Sequence, residues 1–195
     1  MKKAVAMASA LLGAGADTLT GGVGNDTTSY AGSSAGVNVS LAVGAINRGG
    51  DATGDVLSSI ENLSGSAFND VLTGNAVGNG LSGLAGNDTL SGAVSADTLD
   101  GGAGAGRLTG GGGNDVCVFR PTQAPGDEVT DFVGNGTAPG DQLQFIGYGT
   151  VAAGASLTQV GATDHWLINS ADGTLHEDIR LIGVTSLNPS DFVFT

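Results

Sequence analysis

Residues 65–118 read, without a gap, as GSAFNDVLT, GNAVGNGLS, GLAGNDTLS, GAVSADTLD, GGAGAGRLT and GGGGNDVCV, six consecutive nonapeptides. Working outward, LGAGADTLT and GGVGNDTTS occupy 12–29, and a weaker copy, GDATGDVLS, occupies 50–58. The sixth position of the nine units holds Asp17, Asp26, Asp55, Asp70, Asn79, Asp88, Asp97, Gly106 and Asp115. The eighth holds Leu19, Thr28, Leu57, Leu72, Leu81, Leu90, Leu99, Leu108 and Cys117. Two columns kept at one spacing mark a repeat architecture. Gly-Asn-Asp turns of an antiparallel hairpin protein do not require Asp and Leu in fixed columns.

Elementary stereochemistry explains the unit. Glycines in its first half permit positive φ, so the backbone turns tightly and carbonyl oxygens converge without Cβ clashes. The second half, x-U-x with U apolar, is a three-residue strand whose middle side chain points inward, so the eighth residue is the one expected to be buried.

Composition agrees. Glycine supplies 36 of 195 residues, more than twice the roughly 7 % average. The four prolines (Pro121, Pro125, Pro139, Pro189) all follow residue 120, which excludes collagen. Six Lys and Arg against 19 Asp and Glu give a net charge of −13, which argues against nucleic acid as a partner. Most of the acids are Asp, the exceptions being Glu61, Glu128 and Glu177. That bias favours turns and short-armed oxygen ligands for a hard cation. The single cysteine, Cys117, sits in the apolar eighth column, where a core role is expected. No apolar run approaches the roughly 20 residues of a membrane span.

These units resemble the GGxGxDxUx repeats of the RTX family of calcium-binding proteins. The resemblance implies an all-β fold, a parallel β-roll in which two nonapeptides make one coil, with Ca²⁺ as the bound ion. Units eighteen residues apart then stack, pairing Asp70 with Asp88 on one face and Asp97 with Asp115 on the other. Loop carbonyls, among them those of Gly102, Gly104, Gly111 and Gly113, complete each implied site. Asn79 loses a charge and Gly106 a carboxylate, so the sites they share with Asp97 and Asp88 are expected to be weaker. Asp17, Asp26 and Asp55 are the remaining expected ligands, their partners depending on how residues 30–49 rejoin the stack.

The rest of the chain frames the repeats. Residues 1–11 form a short N-terminal segment, 12–118 the expected roll, and 30–49 an irregular insertion whose alternation over 37–43 predicts a half-buried strand. Residues 1–16 imitate a short secretory signal, although 13–19 already read as the first repeat. Residues 119–195 hold seven of the nine aromatics and are expected to form a β-rich cap, with strands over 128–133, 142–146, 165–169 and 179–184 and a turn at Asp172-Gly173. Asp127-Glu128-Val129-Thr130-Asp131-Phe132, followed by Gly140-Asp141-Gln142-Leu143, resembles the segment that follows the roll in RTX proteins. Leu181-Ile182-Gly183-Val184 followed by Asp191-Phe192-Val193-Phe194-Thr195 resembles an uncleaved C-terminal signal of type I secretion.

No catalytic constellation is visible. His165 and His176 are the only histidines, and neither HExxH nor GxSxG occurs. Asp164 beside His165 lies on an expected strand, where neighbours point to opposite faces. The sequence therefore predicts a non-enzymatic, secreted module, extracellular or at the cell surface. Its expected partners are calcium ions and the type I secretion apparatus, with no membrane span. The alternatives are an accessory module of a secreted enzyme, a setting in which an extracellular polysaccharide is a further partner, and a surface adhesion module. An exposed Trp166 or Tyr148 would favour glycan binding.

Overall fold

The computed structural model describes residues 3–5, 10–134 and 140–195, with side chains from residue 11 onward. Part of the signal-like segment, residues 1, 2 and 6–9, lies outside the described residues. The fold is a parallel β-roll of very short strands joined by glycine-rich turns, two eight-stranded walls with a separate three-stranded sheet of Lys3–Val5, Thr18–Thr20 and Val56–Ser58.

Eighteen-residue stacking sets the register. On the first wall Leu72 lies opposite Leu90 and Leu90 opposite Leu108. On the second, Leu63, Leu81, Leu99 and Cys117 form one column. These side chains are almost wholly buried between the walls, giving a core one residue wide in each strand. The sixth column is buried as well: Asp17, Asp26, Asp55, Asp70, Asn79, Asp88, Asp97 and Asp115 all join it. That departs from the expectation that only the eighth residue turns inward, and the hydrogen bonding described below supplies the reason.

The insertion rejoins the stack out of chain order. Val56–Ser58 pairs with Thr18–Thr20, whereas the earlier strand Asn38–Ser40 pairs with Val71–Thr73. Buried Asn47 joins the two strands: its Oδ1 accepts from the Ser40 N–H (2.9 Å) and its Nδ2 donates to the Asp55 carbonyl (3.2 Å). The strand expected over 37–43 stops at Ser40, because Ala42 begins a turn closed by the Ala45 N–H.

Strand pairing continues without a break beyond the last nonapeptide. Leu108 faces Val129 and Cys117 faces Leu143, so Asp127–Val129 and Gln142–Phe145 add further parallel strands. The first of these ends before the expected 133, because Asp131 turns back to accept the N–H groups of Gly110 and Gly111. Phe192–Phe194 closes the second wall. His176–Leu181 closes the parallel part of the first wall and carries an antiparallel extension through His165–Asn169 to Ser156–Gln159. The 179–184 strand is thus shifted toward the Asp172-Gly173 turn, since pairing with Asn169 begins at His176. Phe145 stacks on Phe119 (5.4 Å) and Phe194 (4.8 Å), with Tyr148 edge-on, which gives this end a conventional aromatic core.

Several turns carry a side chain where other units have glycine. Leu84, Ala93 and Ser95 have φ of 76°, 86° and 76°, a left-handed conformation that costs an L-residue about 1–2 kcal/mol. Ala93→Gly is therefore expected to raise stability in saturating calcium by up to about 1 kcal/mol after the entropy of the more flexible unfolded chain is counted. Denaturant unfolding checks this.

Candidate metal centre

The sixth-position carboxylates of Asp55, Asp70, Asp88, Asp97 and Asp115 face inward because each accepts a backbone N–H from the coil before it. Asp70 N–H donates to Asp88 Oδ1 (2.8 Å), Asn79 N–H to Asp97 Oδ1 (2.7 Å) and Asp97 N–H to Asp115 Oδ1 (2.9 Å). The insertion brings Asp17 to Asp55, whose Oδ1 accepts the Asp17 N–H (2.7 Å), and brings Asp26 to Glu61 Oε2 (2.9 Å). Asp70 itself accepts the Val37 N–H (2.7 Å).

One oxygen of each pair is thus spent on the backbone, and the other separates the sites into two kinds. Oδ2 of Asp26, Asp88, Asp97 and Asp115 is buried and accepts no hydrogen bond. At Asp70 the Ser66 N–H donates to Oδ2 (2.6 Å), and at Asp55 the Tyr30 hydroxyl does so (2.9 Å). Asn79 is neutral and its amide is fully engaged: Oδ1 accepts the Asn75 N–H and Nδ2 donates to the Glu61 carbonyl. An ionised oxygen buried without a donor costs on the order of 1–3 kcal/mol or more, so Asp88, Asp97 and Asp115 call for a positive partner.

The surroundings of these oxygens are built from backbone. A Cβ placed on Gly83 would collide with Asp88 Oδ2 and lie 2.5 Å from the Gly101 carbonyl oxygen; one on Gly92 would collide with Asp97 Oδ2 and lie 2.7 Å from the Gly110 carbonyl. Gly102 and Gly104 stack on Leu84 and Gly86, and Gly111 and Gly113 on Ala93 and Ser95, too closely for any side chain. Among the described residues no three His, Cys, Asp or Glu side chains gather as a metal-binding group. A cation here would take most of its ligands from carbonyls, with carboxylate oxygens adding charge. An all-oxygen donor set suits a hard cation, and an adaptable carbonyl cage suits Ca²⁺ better than the strict octahedron of Mg²⁺.

Asp127, Asp141 and Glu61 extend the ladders but were not among the expected ligands. Gly106 offers no carboxylate to the Asp88 N–H, yet its own N–H is accepted by Asp127 Oδ1 (2.7 Å), one coil on. Asp141 accepts the N–H groups of Asp115 (2.9 Å) and Val133 (2.8 Å). The signal for them is the bare Asp/Glu-x-apolar triad in 127–129, 141–143 and 61–63, retained after the leading glycines are lost. Burial pushes Asp88 and Asp97 up to about 6 and Asp127 up to about 8. Cys117 is fully buried, and burial pushes its thiol up, away from the reactive thiolate. Trp166 and Tyr148 are both buried, so neither offers a stacking platform for a glycan. No helix among the described residues is long and apolar enough to cross a membrane.

A stack of short parallel strands with inward carboxylates and glycine turns is the architecture of a calcium-binding β-roll. The family description that matches, RTX calcium-binding nonapeptide repeat, fits residues 12–29, 57–76 and 82–117 in four copies, and these residues are RTX repeats. Among solved structures, the AlgE6R3 subunit of the Azotobacter vinelandii mannuronan C5-epimerase is 26% identical with a TM-score of 0.49, covering 65% of this chain and 78% of that one. The extracellular lipase LipA from Serratia marcescens is 18% identical with a TM-score of 0.47; the match covers 100% of this chain but only 40% of the lipase. No curated protein matches the chain.

The raised carboxyls fix the sign of a pH effect. A buried carboxyl at about 6, against about 4 in an unfolded chain, binds a proton more readily in the metal-free fold than in the unfolded chain. That contribution to metal-free stability is complete below about 4 and is lost as pH rises through about 6. Calcium needs the ionised form, so protons compete with it. Folding by calcium starts from an unfolded chain whose carboxyls are already ionised above about 4, so the calcium concentration at the folding midpoint is expected to change little from pH 7 to about 5 and to rise only as pH falls through about 4. Titrations followed by circular dichroism at several pH values check this; a midpoint that climbs steeply between about pH 7 and 5 contradicts it.

Proposed function

We propose that the chain is a calcium-folded module of an exported protein, with residues 12–118 as the metal-dependent roll and 119–195 as its cap. The observation that carries this reading is the row of buried, donor-free Oδ2 atoms at Asp88, Asp97 and Asp115. With Asp26 these are the leading ligand candidates, and the carbonyls of Gly102, Gly104, Gly111 and Gly113 are candidate neutral ligands. Asp17, Asp55, Asp70 and Asn79 stand on the same ladders, and the side-chain oxygens of Asp55, Asp70 and Asn79 are already engaged in hydrogen bonds. Calcium bound there would supply the divalent charge that the buried carboxylates lack.

The rest follows from what the chain's own groups do without that charge. Buried carboxylates repel one another, and a chain this rich in glycine has a large ordering entropy to overcome. Such a chain stays extended at low free calcium, the state a narrow export channel accepts. Extracellular calcium modules bind at about 10⁻⁴ to 10⁻³ M, so folding would follow arrival outside the cell. Phe192–Phe194, part of the segment resembling a type I signal, pairs with Gln142–Phe145 and buries Phe194. Folding therefore hides that segment, which supports export of the unfolded chain. The chain's location is accordingly read as extracellular, delivered by a type I apparatus.

The test is a calcium titration of the purified chain up to about 10 mM, followed by far-ultraviolet circular dichroism, with Mg²⁺ as control. A cooperative gain of β structure specific to Ca²⁺ is expected. In the Asp88→Ala, Asp97→Ala double variant the midpoint is expected to rise by roughly tenfold or more. Complete β structure in excess chelator, unaltered by calcium, would overturn the proposal. Export is read separately, as delivery to the medium from cells carrying a type I exporter and retention when residues 192–195 are deleted.

A further inference from the structure

The period breaks at residue 30. After two regular units ending at Ser29, the next first-position residue is Tyr30 where a glycine would recur, and its backbone is in register: the Tyr30 N–H donates to the Ser64 carbonyl as the Gly65 N–H does to that of Ser82. In the units holding Asp88 and Asp97 the first-position glycine lies against the Oδ2 of its own aspartate. Tyr30 instead extends into the core, where it is 0% exposed, and donates its hydroxyl to Oδ2 of Asp55, 2.9 Å away.

We infer that the Tyr30 hydroxyl does at the Asp17–Asp55 rung what a cation does at the central rungs, so that this side of the first coil closes without metal. The inference rests on the calcium-folding reading and refines it by assigning where metal is not needed. Asp55 is 1% exposed and both its carboxylate oxygens have donors, Oδ1 from the Asp17 N–H and Oδ2 from Tyr30. Asp88, Asp97 and Asp115 are equally buried and each has a donor for one oxygen only. Burial, then the Asp55 charge, pushes the Tyr30 hydroxyl up, which keeps it protonated as a donor.

The Asp70 rung, on the first wall, follows the same logic with a smaller group. Ser66 gives Asp70 both its N–H (2.6 Å, to Oδ2) and its hydroxyl (2.9 Å, to Oδ1). The opposite side of the first coil differs, because Asp26 Oδ2 has no donor. At the other end of the molecule the chain's second tyrosine repeats the device. Tyr148, 1% exposed, donates its hydroxyl to the buried Glu177, whose Oε1 accepts the Thr122 N–H (2.6 Å). Both tyrosines thus cap carboxylates that hold backbone, one on each side of the donor-free stretch from Asp88 to Asp115. Metal demand on the first wall begins at Asp88, and the Tyr30 rung is a hydrogen-bonded seed onto which calcium-bound coils add.

Two readouts test this in the full chain. Native mass spectrometry counts bound calcium in the wild type, Asp55→Asn and Asp97→Asn. Asp55→Asn is expected to keep the wild-type ion count and Asp97→Asn to lose at least one ion; loss of an ion from Asp55→Asn overturns the inference. Hydrogen exchange of the folded chain, at a calcium concentration just above the folding midpoint, is expected to show the Asp17 and Val56 amides exchanging roughly tenfold or more slowly than those of Thr89, Thr98 and Val116, a difference that Tyr30→Phe abolishes. Equal exchange in the wild type overturns it as well. A wild-type chain that binds no calcium contradicts the calcium reading itself and takes the inference with it. That failure shows in the wild-type ion count, whereas failure of the tyrosine rung alone shows only in Asp55→Asn.

Discussion

One hydrogen bond governs this molecule: a backbone N–H at the sixth position of one coil donating to the carboxylate, eighteen residues later, of the next. It pulls a charged side chain inward beside a hydrophobic column, where an ordinary β-sheet would turn it to water. Everything particular to the fold follows. The first-position glycines make room for the carboxylate, and the carbonyls of the stacked turns crowd around it. The second oxygen is then either given a protein donor or left to require a cation.

That division makes the roll uneven along its axis. Around Asp55, Asp70 and Asn79 hydroxyl, amide and backbone groups of the chain occupy the side-chain oxygens. From Asp88 to Asp115 they reach Oδ1 only, and Oδ2 has no donor. Beyond residue 118 the nonapeptide period ends, aromatic stacking takes over the core, and Asp141 finds two backbone donors. A chain of this net charge cannot hold its central coils by hydrophobic burial alone. The leucine column is narrow, and the strands that carry it are mostly three residues long.

Much of this was legible in the sequence because it is periodic. The Asp and Leu columns predict the eighteen-residue register that Leu72, Leu90 and Leu108 adopt, and the composition change near residue 119 marks where aromatic packing begins. What was not legible depends on contacts outside the period. The exchanged order of Asn38–Ser40 and Val56–Ser58 is held by Asn47, a residue no repeat position predicts. Asp127 and Asp141 continue the ladders after the glycine half of the unit has vanished, leaving only a three-residue trace. Which carboxylate oxygens lack a donor is invisible in one dimension, since Tyr30 reaches Asp55 across 25 residues of irregular chain.

The central claim is that the buried Oδ2 atoms of Asp88, Asp97 and Asp115 are calcium ligands. A crystal structure of the chain grown in millimolar calcium, with anomalous data, tests it most directly. The account predicts calcium peaks within about 2.3–2.6 Å of these oxygens, with turn carbonyls completing each shell, and no peak at Asp55 Oδ2. Ordered water or empty space beside all three oxygens in a fully folded roll would contradict it.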